Sequence, residues 1–301
     1  ATGHIYDADL ETNQKTRITN QTLPKIYEAH FRPDGLSVLL RSLNSDLETI
    51  DNLSLTLTAP RATSSAALYG VSATNLRGNV DEASVIGNIL YYVLGNNPSS
   101  IVSSSFTGGS LRTLFSSNFS DWRLSRLGTN PMVYTKANSG AAGYAYNLAN
   151  SGSLRKILGP LNGLVAIGSP SGREVLYSYS NGGQIKLSVR NIQKDTDLEI
   201  LPATIAEKCV WSAKNQGIFF CGISVSPVSQ NEPENWYGGI THFTDNIWRF
   251  DTNSEIAQLI IEPRVDFDLS LDVFSPQLSQ DGKLLIFINR NDLTLWAARV
   301  N

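Results

Sequence analysis

The sequence predicts an all-β chain folded as a β-propeller of four-stranded antiparallel blades. Three observations carry the prediction. Short apolar runs recur on either side of tight turns that hold a glycine. The recurrence has the period of a propeller blade. Helical patterning is hard to find in a chain dominated by Ser, Thr, Asn, Gly, Val, Ile, Tyr and Leu.

The hairpins can be read in order. Phe31-Arg32-Pro33-Asp34-Gly35 precedes Ser37-Val38-Leu39-Leu40-Arg41, Val85-Ile86-Gly87-Asn88 precedes Ile89–Val93, and Leu127-Gly128-Thr129-Asn130 precedes Met132-Val133-Tyr134. Ile167-Gly168-Ser169-Pro170-Ser171-Gly172 leads into Val175–Tyr179, Trp211–Gly217 into Ile218-Phe219-Phe220, and Leu278-Ser279-Gln280-Asp281-Gly282 into Leu284–Ile288. Each reads as strand, turn, strand, with glycine where the backbone needs positive φ. The turn glycines at 35, 87, 128, 172, 217 and 282 are spaced by 52, 41, 44, 45 and 65 residues, against a blade of roughly 40–45 residues.

A second half-unit follows each hairpin: a strand, often aromatic, then a polar turn and another strand. His4–Asp9 with Lys15–Ile18, Gly143–Asn147 with Leu154–Leu158, Ile185–Val189 with Leu198–Leu201, and Asn246–Asp251 with Ala257–Ile260 fit this frame. Their alternation turns one face inward between blades. The chain therefore starts on a half blade, runs through five full units and ends on three strands, 25 in all. That number fills neither six nor seven blades evenly. The opening Ala1-Thr2-Gly3 reads as the inside of a connection, so seven blade positions with an incomplete closing region are expected. Six blades are the alternative, and either way 1–301 reads as one domain.

Composition narrows the function. With 24 basic against 27 acidic residues the chain carries a net charge of −3, which argues against a phosphate-binding surface and hence against nucleic acid. No window holds 18 consecutive apolar residues and no signal peptide opens the chain, so any membrane anchor would lie outside it.

The turns Pro33-Asp34-Gly35, Pro170-Ser171-Gly172 and Gln280-Asp281-Gly282, each ahead of an apolar strand, resemble the repeats of TolB-type, WD-like bacterial β-propellers. The stretches Gly3–Asp7, Glu234–Gly239 with Phe243–Trp248, and Leu285–Trp296 resemble uncharacterised, envelope-anchored bacterial propellers. That resemblance spans nearly the whole chain and implies an upstream anchor and a further strand set. It brings no catalytic or ligand residues.

The largest departure from the period is the 65-residue step, which points to an insertion at about 226–245 in the fifth full blade. Long loops in compact domains often carry function. This one holds Trp236, Tyr237, His242 and Phe243, whose adjacent aromatics either anchor a protein partner or stack on a sugar; the alternative is that Trp236 and Tyr237 fold back and cap the neighbouring blade. Cys209 and Cys221 flank the turn Lys214-Asn215-Gln216. If those three residues form the loop, the cysteines face each other within disulfide reach; with a four-residue loop they miss and stay as free thiols. A single bridge suits an exported protein.

Other chemistry has weaker signals. His4, His30 and His242 sit in different units without zinc-ligand spacing. Asp266-Phe267-Asp268 with Asp272 lacks the glycine and terminal glutamate of a calcium loop. No Gly-x-Ser-x-Gly elbow occurs. Asp34, Asp81, Glu82, Asp121 and Glu207 are candidates for an axial carboxylate pair whose separation a sequence does not set. The sequons at Asn20, Asn52 and Asn118 occur at chance frequency. No cofactor or metal is expected. The sequence thus reads as a non-enzymatic, extracytoplasmic binding or scaffold propeller at a bacterial cell surface or in the periplasm, with no oligomer signal. Its expected partner is a protein; the alternatives are a polysaccharide and, behind it, a hydrolase or lyase with an axial carboxylate site.

Overall fold

The computed structural model describes residues 3–12, 14–44, 49–60, 68–76, 79–228 and 230–300. Ala1 and Thr2 of the opening segment, and Ser229 of the insertion, lie outside the described residues. Twenty-five strands occur among the described residues. They follow the order read from the sequence: a leading pair, five groups of four and a closing three.

The blade-type sheets number six rather than seven, so the six-blade alternative is the one adopted. The leading strands account for the difference. β1 (Tyr6–Asp9) and β2 (Gln14–Arg17) form a two-stranded sheet of their own, every residue of which is exposed. A remnant of a seventh blade would bury at least one face. This hairpin is instead attached at its base, where Ile5 and Ile18 pack with Leu40, Leu55 and Leu57 and the Ile18 carbonyl accepts from Tyr69 N–H at 2.8 Å.

The chain divides into two compact units, residues 1–120 and 121–301. The first holds the hairpin and two blades: β3–β6 (Ile26–Phe31, Ser37–Leu43, Ile50–Thr58, Gly70–Asn75) and β7–β10 (Val80–Ile86, Ile89–Leu94, Ser99–Ser104, Arg112–Ser117). β4 is buried on both faces, as a central blade strand must be. Leu39 joins Leu90, Tyr92 and Val102 of the next blade, while Val38 and Leu40 face Ile5.

The second unit holds four blades. These are β11–β14 (Trp122–Leu127, Asn130–Thr135, Ala142–Leu148, Leu154–Asn162), β15–β18 (Val165–Gly168, Glu174–Asn181, Gln184–Asn191, Thr196–Glu199), β19–β22 (Cys209–Trp211, Ile218–Ser224, Asp245–Asp251, Ile256–Ile261) and the three-stranded β23–β25 (Val273–Leu278, Leu284–Asn289, Thr294–Arg299). One continuous apolar cluster runs through the first three of these blades and takes in Trp236 and Phe243 of the insertion. Another joins β19–β22 to β23–β25 through Ile218, Phe220, Val273, Leu285 and Phe287.

The hairpin turns explain why the pattern was readable. In three of them the glycine N–H donates back to the residue three before it: Gly35 to Arg32, Gly172 to Ser169 and Gly282 to Ser279, at 2.8–3.0 Å. All six turn glycines have φ between 60° and 81°, a region that costs a side-chain-bearing residue. The residue before the glycine adds a second bond. Asp34 Oδ1 accepts from Leu36 N–H at 2.9 Å, Ser171 Oγ from Arg173 N–H at 3.3 Å, and Asp281 Oδ1 from Lys283 N–H at 3.1 Å.

Candidate functional site

The insertion leaves β20 after Ser224 and returns at Asp245, the first residue of β21. It includes one short helical turn, α1 (Glu234–Tyr237). Its aromatic residues do not form a flat exposed face. Trp236 is 0% exposed and Phe243 is buried, whereas Tyr237 is half-buried and His242 is exposed. The four residues picked from the sequence therefore part company: two go inward, one lies at the boundary and one faces solvent.

What Trp236 and Phe243 enclose is a buried charge. Lys208 ends a single 3-10 turn (Ala206–Lys208) directly before β19 and has no exposed surface. Its Nζ lies 4.9 Å from the Trp236 ring centroid and 4.6 Å from that of Phe243. A cation over two aromatic faces is attracted by both quadrupoles. The ammonium pairs with Asp245 Oδ2 at 2.7 Å and with Asp272 Oδ1, and it donates to the Val273 carbonyl at 3.3 Å. Both carboxylates are also fully buried.

Asp272 is the hub. Besides Lys208, it accepts from Trp236 Nε1–H to both oxygens at 3.1 Å and from Phe243 N–H at 3.1 Å. Its own N–H donates to Asn289 Oδ1 at 2.8 Å. Asp272, which the sequence sets close to Asp266 and Asp268, serves the ammonium and the insertion, while Asp266 accepts from Glu262 N–H at 2.9 Å. Among the described residues no group of three His, Cys, Asp or Glu is arranged to hold a metal.

Asp245 is less well served. Val273 N–H and Lys208 both approach Oδ2, and Oδ1 is buried without a hydrogen-bond partner. Burial raises its pKa to about 6 despite the opposing pull of Lys208, with the Asp272 charge adding to the rise. Two carboxylates around one ammonium leave an excess of negative charge.

Further contacts pin the insertion to its surroundings. Glu232 Oε2 accepts from Trp236 N–H at 2.8 Å. Glu234 accepts from the N–H of Ser139 at 3.0 Å and from its hydroxyl. The Arg290 guanidinium covers Trp236 at 4.9 Å and Phe274 at 5.3 Å, and donates to the Tyr237 carbonyl at 3.0 Å. Arg123 stands 5.8 Å from the Tyr237 ring, and Tyr134 O–H donates to Glu207 at 3.2 Å. Burial first, and the Glu207 carboxylate after it, hold the Tyr237 hydroxyl well above its usual pKa.

Lys208, Arg290 and the roles of Asp245 and Asp272 escaped sequence reasoning. The available signal was faint: a lysine abutting Cys209, and an aspartate opening an apolar strand, in a chain of only 17% charged residues. The cysteines are bonded, with Cα atoms 4.1 Å apart. The register Cys209↔Cys221, Val210↔Phe220, Trp211↔Phe219 is the one a three-residue loop requires. The bridge ties together the strand after Lys208 and the strand that leads into the insertion. The other candidates are dispersed: Asp34 belongs to a hairpin turn, His4 accompanies the Gln21 carbonyl, and His30 pairs with Glu28.

No protein family matches the sequence, and no curated protein does. Solved structures do. The β-propeller domain of the Trilobed protease from Pyrococcus furiosus aligns with 99% of this chain and 89% of its own length at 10% identity and a TM-score of 0.62. A protein assigned as TolB from Agrobacterium tumefaciens aligns over 98% and 96% at 13% identity and a TM-score of 0.50. At the level of fold this chain is a β-propeller, with a TolB protein among the propellers it resembles. The propeller also aligns with an oligogalacturonate lyase solved with manganese, over 99% of this chain and 83% of that one, at 12% identity and a TM-score of 0.60. It spans 58% of the length of TolB from Acinetobacter baumannii.

Proposed function

We propose that this propeller is a non-enzymatic binding or scaffold module, working outside the cytoplasm at a bacterial cell surface or in the periplasm. It recognises a protein partner through face loops that include residues 226–245. The observation that carries the reading is the mounting of the insertion. Trp236 and Phe243 are held by a buried ion cluster, while the segment they bracket presents Ile240, 75% exposed, and His242 to solvent. A loop so anchored is preorganised, and preorganisation lowers the ordering cost of binding. The disulfide supports an oxidising compartment.

Deleting 226–245 would remove Trp236 and Asp245 from the interior, so the test keeps the anchor and alters the tip. Native protein and an Ile240→Asp/His242→Ser variant are used to capture partners from envelope extracts under crosslinking. Retention of every captured protein by the variant would sink the reading.

A polysaccharide ligand is the second reading. Two adjoining polar pockets of about 290 and 280 Å³ share Pro170 and Ser171 on the hairpin-turn side of the second unit. Calorimetric titration with oligogalacturonate separates the two readings, since binding unaffected by the tip variant would favour the pockets.

A further inference from the structure

We infer that the insertion tip is one part of a larger docking surface, built from three connections of the last two blades, for a segment of a partner protein that mixes apolar with basic side chains. The inference rests on the protein-binding reading above and extends it to the partner's chemistry. The connections are the insertion, the β22–β23 link with its short helix α2 (Pro263–Phe267), and the β24–β25 loop at 290–293.

They are bonded to one another. Thr244 Oγ1 and Ser270 Oγ lie 2.9 Å apart, and Asp245 N–H donates to the Leu271 carbonyl at 2.7 Å. Asn291 Nδ2 reaches the carbonyls of Phe243 at 3.3 Å and Ser270 at 3.5 Å, and Arg290 reaches that of Tyr237. Each connection then projects large apolar side chains into solvent: Ile240, Val265, Phe267 and Leu293 are 64–77% exposed. Backbone hydrogen bonds fix the chain at or next to these positions. Ile240 N–H donates to Asn235 O at 2.8 Å, Asp266 N–H to Glu262 O at 2.8 Å and Leu293 N–H to Asn289 O at 2.7 Å. Apolar groups held out by rigid backbone on adjoining loops mark an interaction surface rather than scattered exposure.

The charge around them selects the occupant. Asp266, Asp268 and Asp292 are exposed and Glu262 is half-buried, against Arg264 as the exposed cation of these connections; His242 is also exposed. Arg290 is occupied by Trp236, Phe274 and the Tyr237 carbonyl. Carboxylates interleaved with apolar side chains fit lysines or arginines interleaved with apolar side chains, and such complementarity sets partner choice and association rate.

The test uses the full chain and two fluorescein-labelled peptides of alternating sequence, Leu-Lys and Leu-Glu, followed by anisotropy. The Leu-Lys peptide is expected to bind saturably, more weakly as salt rises, and the Leu-Glu peptide not to bind. Phe267→Ser and Leu293→Ser should each weaken binding roughly fivefold or more. The triple variant Asp266→Asn/Asp268→Asn/Asp292→Asn should weaken it and flatten the salt dependence. Equal binding of both peptides, or native-like binding by these variants, overturns the inference. If Ile240→Asp/His242→Ser loses an envelope partner while Phe267→Ser and the triple variant keep it, the insertion alone binds: the function above stands and this extension fails.

Discussion

Asp245 concentrates the electrostatic problem of the insertion into one carboxylate. It shares a single ammonium with Asp272, leaves Oδ1 buried without a hydrogen-bond partner, and has a pKa of about 6 in place of 3.8. Its native pKa lies above that of the unfolded chain, so between about pH 4 and 6 the folded state holds the proton more tightly. The stability this group contributes is therefore greatest below about pH 4 and is lost as the pH rises through 6. The interval corresponds to about 3 kcal/mol. Asp245→Asn removes the titration and keeps the Lys208–Asp272 pair. Urea unfolding at pH 7.5, 5.5 and 4 should show the native protein gaining on the variant by up to about 3 kcal/mol as the pH falls. The carboxylates outside the Lys208 cluster are common to both proteins and cancel in the difference. A difference flat with pH would mean that the pKa of Asp245 is not raised in the folded protein.

At the scale of elements, the β19–β20 hairpin links the disulfide to the insertion. The bridge closes a loop with a sequence separation of 12, and a constraint of that length on the unfolded chain is worth about 3 kcal/mol. Cys209→Ser/Cys221→Ser should lower the unfolding free energy by about that amount, and reductant should do the same to the native protein but not to the variant. The hairpin also marks how far the sequence could be read. Its register is one of the two the sequence allows, the one with the cysteines placed symmetrically about a three-residue turn, and the six turn glycines follow from the positive φ each turn demands, because both are local. The blade count is not local. The leading hairpin has the pattern of a half blade, and only its exposed faces and its attachment through Ile5 and Ile18 distinguish it from one. Lys208 was equally hidden, since its partners lie 37 residues away at Asp245 and 64 away at Asp272. Trp236 carries two readings in the sequence, an exposed anchor or a cap folded back on the neighbouring blade, and what decides for the interior is the Asp272 carboxylate, 36 residues further along the chain.

Across the whole molecule, one device recurs in each compact unit: a buried cation of one blade donates to the first residue of the next blade's first strand. Arg41 on β4 reaches the Val80 carbonyl at 2.5 Å, and Lys208 reaches the Val273 carbonyl at 3.3 Å. Each thereby joins two blades whose backbones otherwise share no ladder. The two differ in what their counter-charges can do when the cation is removed. Glu28, paired with Arg41 at 2.7 Å, keeps 39% of its side chain exposed and has His30 at 3.1 Å as a second partner. Asp245 and Asp272 have 0% exposure. Arg41→Met should therefore cost mainly the bond to the buried carbonyl, about 1–3 kcal/mol. Lys208→Met leaves two carboxylates in the interior and should cost about 3–5 kcal/mol or more at neutral pH. The loss should shrink as the pH falls from neutral towards about 6, because without the Lys208 charge that lowers it the Asp245 pKa rises further and the carboxyl of the variant takes up its proton at a higher pH than in the native protein. Guanidinium unfolding of both variants at pH 7.5 and 4.5 checks the ranking and the pH response together. Equal costs, or a Lys208→Met deficit indifferent to pH, would show that the aromatic box rather than the ion cluster holds the insertion in place.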